Sequence, residues 1–144
     1  MERAKRTWVV AAVSLLFVPA GCTSHYERIQ MNAREKVAIL DVGVINMAQL
    51  QYYNFAGKYA TSLSELCGSR NGSPAPTISG KVCTGEEHEY VFTVASTAPE
   101  KSYTIDARPK TPGSSGRRFF YSDQTLIIHQ SENKPATANS PQVK

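Results

Sequence analysis

The chain has 144 residues, with 16 Lys and Arg against 12 Asp and Glu, a formal net charge of +4, and three cysteines. That length suits one small domain with a modest core rather than several. The mild basic excess, with no basic stripe carrying interleaved aromatics, argues against a nucleic-acid partner.

Arg3, Lys5 and Arg6 form a basic start, and an uncharged, mostly apolar run from Trp8 to Ala20 follows. These are the n-region and h-region of an export signal. As a helix the run spans only about 20 Å, short of a hydrocarbon core of roughly 30 Å. Val18-Pro19-Ala20-Gly21-Cys22 resembles a bacterial lipobox, although Pro19 stands where Leu is usual. The resemblance implies a signal peptide over residues 1–21, diacylation of Cys22 on its thiol, and a membrane attachment through that lipid. Ordinary cleavage after Ala20 and secretion is the alternative, and retention of the segment as an uncleaved anchor a third. Removing residues 1–21 takes away three basic residues and one acidic one, so 13 and 11 remain in the mature chain. Arg117-Arg118 is then the only basic doublet, and a solvated strand end accounts for it.

Cysteine arithmetic agrees with an exported chain. With Cys22 carrying lipid, Cys67 and Cys83 form an even pair across a fifteen-residue segment rich in Gly, Ser, Pro and Asn. A disulfide there contributes roughly 3 kcal/mol by loop-closure entropy, in a compartment that permits it. Two free buried thiols are the alternative. No CxxC or close histidine pair accompanies them, so no metal site is expected.

Ser24-His25-Tyr26-Glu27 reads as a capping box opening a long amphipathic helix. At 100° per residue, Tyr26, Ile29, Ala33, Val37, Leu40, Val44, Met47, Ala48 and Phe55 fall inside one arc of about 100°, the expected core stripe. Glu27, Glu35, Asn46 and Gln49 lie opposite. Ile39, Ile45 and Leu50 fall off the stripe and read as scattered exposed apolar residues, or else as a second contact face. The helix is expected to run to Ala56, with Gly57 as its stop, over roughly 48 Å. Gly43 inside it costs up to about 1 kcal/mol relative to Ala, so a bend or close contact there is possible on sequence grounds. Ser62 and Glu65 mark a second cap and a short helical turn, and residues 67–85 read as loop, including the Asn71-Gly72-Ser73 turn.

Beyond the loop the period changes to two. Tyr90 to Ala95, Tyr103 to Ala107, Phe119 to Ser122 and Leu126 to His129 are four expected strands. Their short connections require antiparallel pairing. From residue 132 to 144 Pro, Ser, Asn, Ala and Thr dominate, and a disordered tail is expected. The fold class is therefore α+β: one long N-terminal helix laid on a small four-stranded antiparallel sheet.

Tyr53 and Gly57-Lys58-Tyr59-Ala60-Thr61-Ser62-Leu63-Ser64-Glu65-Leu66 resemble the helix-end segment of type IV pilins and type II secretion pseudopilins. The strands at 90–94 and 103–107 resemble the next two of that sheet. Pro112 to Gln124 resembles the final hairpin of one group of pilin-like proteins, with Leu126 where a glycine is usual. The resemblance covers about residues 28–131 and implies a pilin-like domain over 22–131. It also implies an envelope-anchored structural or interaction protein, accessory to a type II secretion or type IV pilus apparatus. The prepilin cleavage site, a Gly followed by an apolar stretch with Glu at the fifth mature position, is absent, so polymerisation is not implied. A periplasmic ligand-binding or adaptor lipoprotein unrelated to pili is the alternative. The short polar Thr23-Ser24 after Cys22, with no acidic residue, favours by analogy the outer membrane, facing the periplasm.

Enzyme chemistry is not expected. His25, His88 and His129 are scattered, and no H-E-x-x-H, G-x-S-x-G or phosphate loop occurs. Catalytic residues, cofactor and small-molecule substrate are accordingly left unassigned. Glu86-Glu87-His88-Glu89 is the densest titratable cluster and reads as a solvated turn before a strand; as a metal site it needs a ligand from elsewhere in the chain.

Overall fold

A computed structural model of the chain describes residues 20–67, 78 and 80–144. The expected signal peptide and the Asn71-Gly72-Ser73 turn lie outside these residues, apart from the last two positions of the signal. Helix α1 covers Ala20–Ala56, 37 residues or about 55 Å. It begins before Ser24, so Ser24 and Glu27 sit inside the helix and do not form the expected cap. It ends as expected: Gly57 adopts φ 69°, and its amide donates to the Tyr53 carbonyl at 2.8 Å, a left-handed stop that glycine takes without Cβ strain. A short helix α2, Leu63–Cys67, follows. Its cap differs in one residue from the expectation, because Glu65 reaches back to Thr61, whose hydroxyl donates at 2.6 Å, rather than to Ser62.

A 3₁₀ turn at Lys81–Thr84 leads into a five-stranded sheet: β1 Glu86–Glu87, β2 Tyr90–Ala95, β3 Thr104–Pro109, β4 Arg118–Asp123 and β5 His129–Glu132. Strand order follows chain order, and every neighbour pair is antiparallel. The α+β class and the meander are as expected. The fifth strand is the two-residue β1, too short to show a period. The last strand starts at His129, where Leu126 to His129 is the sequence expectation. Leu126 instead turns the chain at φ 65°, with its amide on the Asp123 carbonyl at 2.9 Å.

One sheet face carries Tyr90, Phe92, Val94, Ile105, Ala107 and Phe120, all buried. Antiparallel register puts them side by side, with Phe92 opposite Ala107 and Val94 opposite Ile105, and Ala107 opposite Phe120. Helix α1 covers this face, but with a different side from the one expected. Its buried residues are Glu35, Ala38, Val42, Ile45, Asn46, Ala48, Gln49 and Tyr52. Ile45, expected to be exposed, is 0 % accessible, whereas Leu40 from the expected core stripe is 68 % accessible.

Three polar side chains make the buried side workable, because each finds partners that replace water. Glu35 accepts from the Arg117 amide at 2.8 Å, the Arg118 amide at 3.2 Å and Arg118 Nε at 2.6 Å. Asn46 Nδ2 donates to Ser122 Oγ at 2.9 Å, and Asn46 Oδ1 accepts from the Tyr103 hydroxyl at 2.9 Å. Gln49 and the Ala60 backbone exchange two hydrogen bonds of 3.0 and 2.9 Å. Arg118 is therefore half-buried in an ion pair rather than a solvated strand end. With the other side of α1 turned inward, Ser122, the Tyr103 hydroxyl and Arg118 would lose these partners, so the greasier stripe loses the competition for the sheet.

The Cys67–Cys83 disulfide is formed, with Cα atoms 5.7 Å apart. It ties α2 to the 3₁₀ turn before the sheet. The final segment is a correction: where 132–144 is expected to be disordered, the chain runs back along β5. The Gln130 amide donates to the Pro141 carbonyl and the Val143 amide to the Ile128 carbonyl, both at 2.8 Å, and Ala136 is buried. Backbone hydrogen bonds to a strand edge do not require an apolar sequence, which is why composition misjudges this stretch.

Candidate functional site

Two features of the surface stand out, and both are built on α1. The first is the stripe expected to be core. Tyr26, Ile29, Leu40, Val44, Met47 and Phe55 are all more than half or about half exposed, in a line along the helix. They sit roughly opposite the side that meets the sheet, so the domain's own layers do not cover them. Contiguous exposed apolar surface of this kind marks an interaction site more often than scattered single residues do. Alongside it an open groove of about 590 Å³ runs between Leu40, Val44 and Met47 of α1 and Leu126 and Ile128 of the last turn, with Gly43 in its floor. Its lining is aliphatic and polar, with no aromatic side chain among the described residues.

The second feature joins Asp41 to the acidic turn. β1 and β2 are connected by a two-residue loop, His88-Glu89, in which both residues have positive φ, 49° and 63°. That is the mirror-image turn favoured by hairpin twist, made here without glycine. It aims His88 at the helix: His88 Nδ1 lies 3.8 Å from Asp41 Oδ2 and 3.9 Å from Glu87 Oε1. Asp41, 45 or more positions away in the chain, is thus the group from elsewhere that the Glu86–Glu89 cluster lacks in sequence. Burial, reinforced by the negative charge of Glu87 and opposed by His88, raises the Asp41 carboxyl above its ordinary range. Asp41 Oδ2 is buried and accepts no hydrogen bond.

One imidazole and two carboxylates are the donor types of zinc-class ions. Their atoms spread over as much as 4.8 Å, however, and two ligands of one zinc ion lie at most about 4.2 Å apart at bonds of 2.0–2.1 Å. The cluster as it stands is wider than a closed ion site.

Of the residues singled out from sequence, Cys67 and Cys83 are joined. Cys22 falls in the helical backbone of the first turns of α1, and its side chain is not among those described. His25 and His129 lie far from the Asp41 cluster in the chain's layout, and His129 Nδ1 is engaged 2.6 Å from the Ser140 carbonyl oxygen. Sequence reasoning missed Asp41 and Glu35. The usable signal was Ile45, which together with Ala38 and Val42 forms a second, weaker apolar line on α1. No protein-family model, curated protein or solved structure matches this chain.

Proposed function

We propose that the chain is an envelope-anchored, pilin-like structural or interaction protein, accessory to a type II secretion or type IV pilus apparatus, held to the membrane by lipid on Cys22. The observation that carries the reading is the long helix α1, which lays one side on an antiparallel meander and leaves an apolar stripe on its other side unoccupied. A helix used only to stabilise its own domain gains nothing from a second apolar line, whereas a protein that docks into an assembly does. The lipobox-like Val18 to Cys22, the Gly57 helix stop followed by the Ser-Leu-x-Glu-Leu turn, and the Cys67–Cys83 bridge support it further. Every residue from Ser24 to Ile29 is exposed, a stalk between the lipid and the globular layers. No described helix is long and apolar enough to cross a membrane.

The anchor is tested by radiolabelled palmitate incorporation in a bacterial host, with Cys22→Ser as control. Label on the wild type alone is the expected result; equal labelling, or a mature N-terminus other than Cys22, refutes lipidation. The assembly role is tested by crosslinked pull-down from cells that carry a secretion or pilus apparatus. Enrichment of platform or pseudopilin components is expected, and recovery of none of them refutes that role.

A further inference from the structure

The exposed stripe of α1 has a regular phase. Ala33, Val37, Leu40, Val44 and Met47 are spaced four, three, four and three apart, the a/d repeat of a coiled coil. Extended in both directions, the same phase places Tyr26 at d and glutamines, Gln30 and Gln51, at the flanking a positions. We propose that α1 pairs through this stripe with α1 of a second copy of the chain, in parallel and in register, as a two-stranded coil from about Tyr26 to Gln51.

Four observations select that occupant. Valine at both central a positions, with Leu40 and Met47 at d, is the pattern that favours two parallel strands over three or four. Polar residues at single a positions fix alignment, because an amide facing itself across the seam is satisfied only in register; Gln30 and Gln51 supply one such layer at each end. Parallel pairing sets each g position opposite the e position five residues later on the other helix. Lys36 then comes opposite position 41 of the second copy, whose Asp41 is turned into its own domain against His88, and no g–e pair brings like charges together. Finally, Gly43 has no internal reason to be glycine. A Cβ there meets nothing within 4 Å, and its φ is not in the positive range that favours glycine. In the paired arrangement Gly43 sits at a g position beside the seam, where the missing side chain lets the helices close in next to Leu126 and Ile128.

The cost of pairing is low, because the sheet already holds α1 helical and the seam side chains are in place before the copies meet. The proposal does not depend on lipidation or on any secretion apparatus, so either can fail without affecting it.

The test is disulfide trapping in cells that express the full chain. Val37→Cys and Val44→Cys are the probes, Thr93→Cys on an exposed position of β2 is the control, and the wild type gives the background from Cys22. Oxidation should convert both helix variants, each with itself, to a species of twice the monomer mass, and leave the control at background. Adding Leu40→Asp to Val44→Cys should cut that yield roughly tenfold, the effect of an unpaired charge in the seam. Leu40 is exposed in the single chain, so circular dichroism and the Cys67–Cys83 bridge should be unchanged in the same variant. Trapping at control level, trapping only between Val37→Cys and Met47→Cys chains (the antiparallel result), a crosslinked band of any mass other than the dimer's, or indifference to Leu40→Asp each overturns the proposal.

Discussion

Replacing Glu35 tests the central claim about which side of α1 meets the sheet. In the structure its carboxylate is 2 % accessible and takes three hydrogen bonds, from two successive β4-entry amides and the Arg118 guanidinium. Hydrogen bonds to a charged group contribute about 1.5–3 kcal/mol each, and breaking a buried ion pair by removing one partner costs about 3–5 kcal/mol. Arg118 remains 26 % accessible and rehydrates in part, so Glu35→Ala should cost about 3 kcal/mol, toward the lower limit of that range. For a domain of this size that lowers Tm by roughly 12 °C. Glu35→Gln keeps an acceptor for the amides and should lose about half as much. The pH dependence gives an independent check. Burial alone would raise the Glu35 pKa, but the Arg117 amide and Arg118 outweigh it and hold the carboxyl below its usual value of 4.5. A depressed carboxylate contributes stability that is full above the unfolded value and is lost as pH falls through the folded one. Denaturant titrations between pH 6 and about 3 should therefore show wild type losing more stability on acidification than Glu35→Gln. Asp41, whose carboxyl is raised, works in the opposite direction in both proteins and cancels in the difference. A Glu35→Ala loss below about 1 kcal/mol, or parallel pH profiles, would show that the residue faces solvent as its sequence position suggests.

Three further substitutions probe the rest of the frame. Gly116→Ala should destabilise by about 1–3 kcal/mol, since a Cβ there runs into the Tyr90 hydroxyl and ring, and that hydroxyl holds the Arg118 carbonyl at 2.8 Å; thermal melts measure it. Cys67→Ser should lower stability by about 2–4 kcal/mol without altering lipid incorporation, and non-reducing peptide mapping of the wild type should recover one peptide joining Cys67 and Cys83. Leu126→Gly should be neutral or stabilising by up to about 1 kcal/mol, because the turn needs positive φ and leucine adopts it under strain; a loss above that amount would mean that the leucine side chain holds the turn through packing.

The parts of the fold that were legible are those whose signal is local. Gly57 stops α1 because of its own φ, the strands at 90–95 and 104–109 alternate over their full length, and two cysteines across a polar loop have one partner each. The face of α1 was not legible in the same way. Apolar periodicity ranks helix sides by greasiness, and Glu35, Asn46 and Gln49 put three polar groups on the side that is buried. Their burial becomes favourable only once Arg118, Ser122, Tyr103 and the Ala60 backbone stand opposite them, and those lie up to 83 positions away. Asp41 escaped notice for the same reason: its link to His88 exists only through the hairpin turn. The final segment was misjudged because its ordering comes from strand-edge amides, to which composition is blind.

That last segment also determines how the sheet ends. A meander has two open edges, each a row of unpaired amides and carbonyls that invites another chain's strand. On one side the edge strand is only two residues long and bends away through the His88-Glu89 turn. On the other, Gln142 bridges His129, and its neighbours take up the outward-facing groups of β5. Strand addition is thus hindered along β5 by the returning tail and along the start of β2 by β1, which pairs with Tyr90 and Val91, and any association of the chain is steered away from those stretches of the sheet edge.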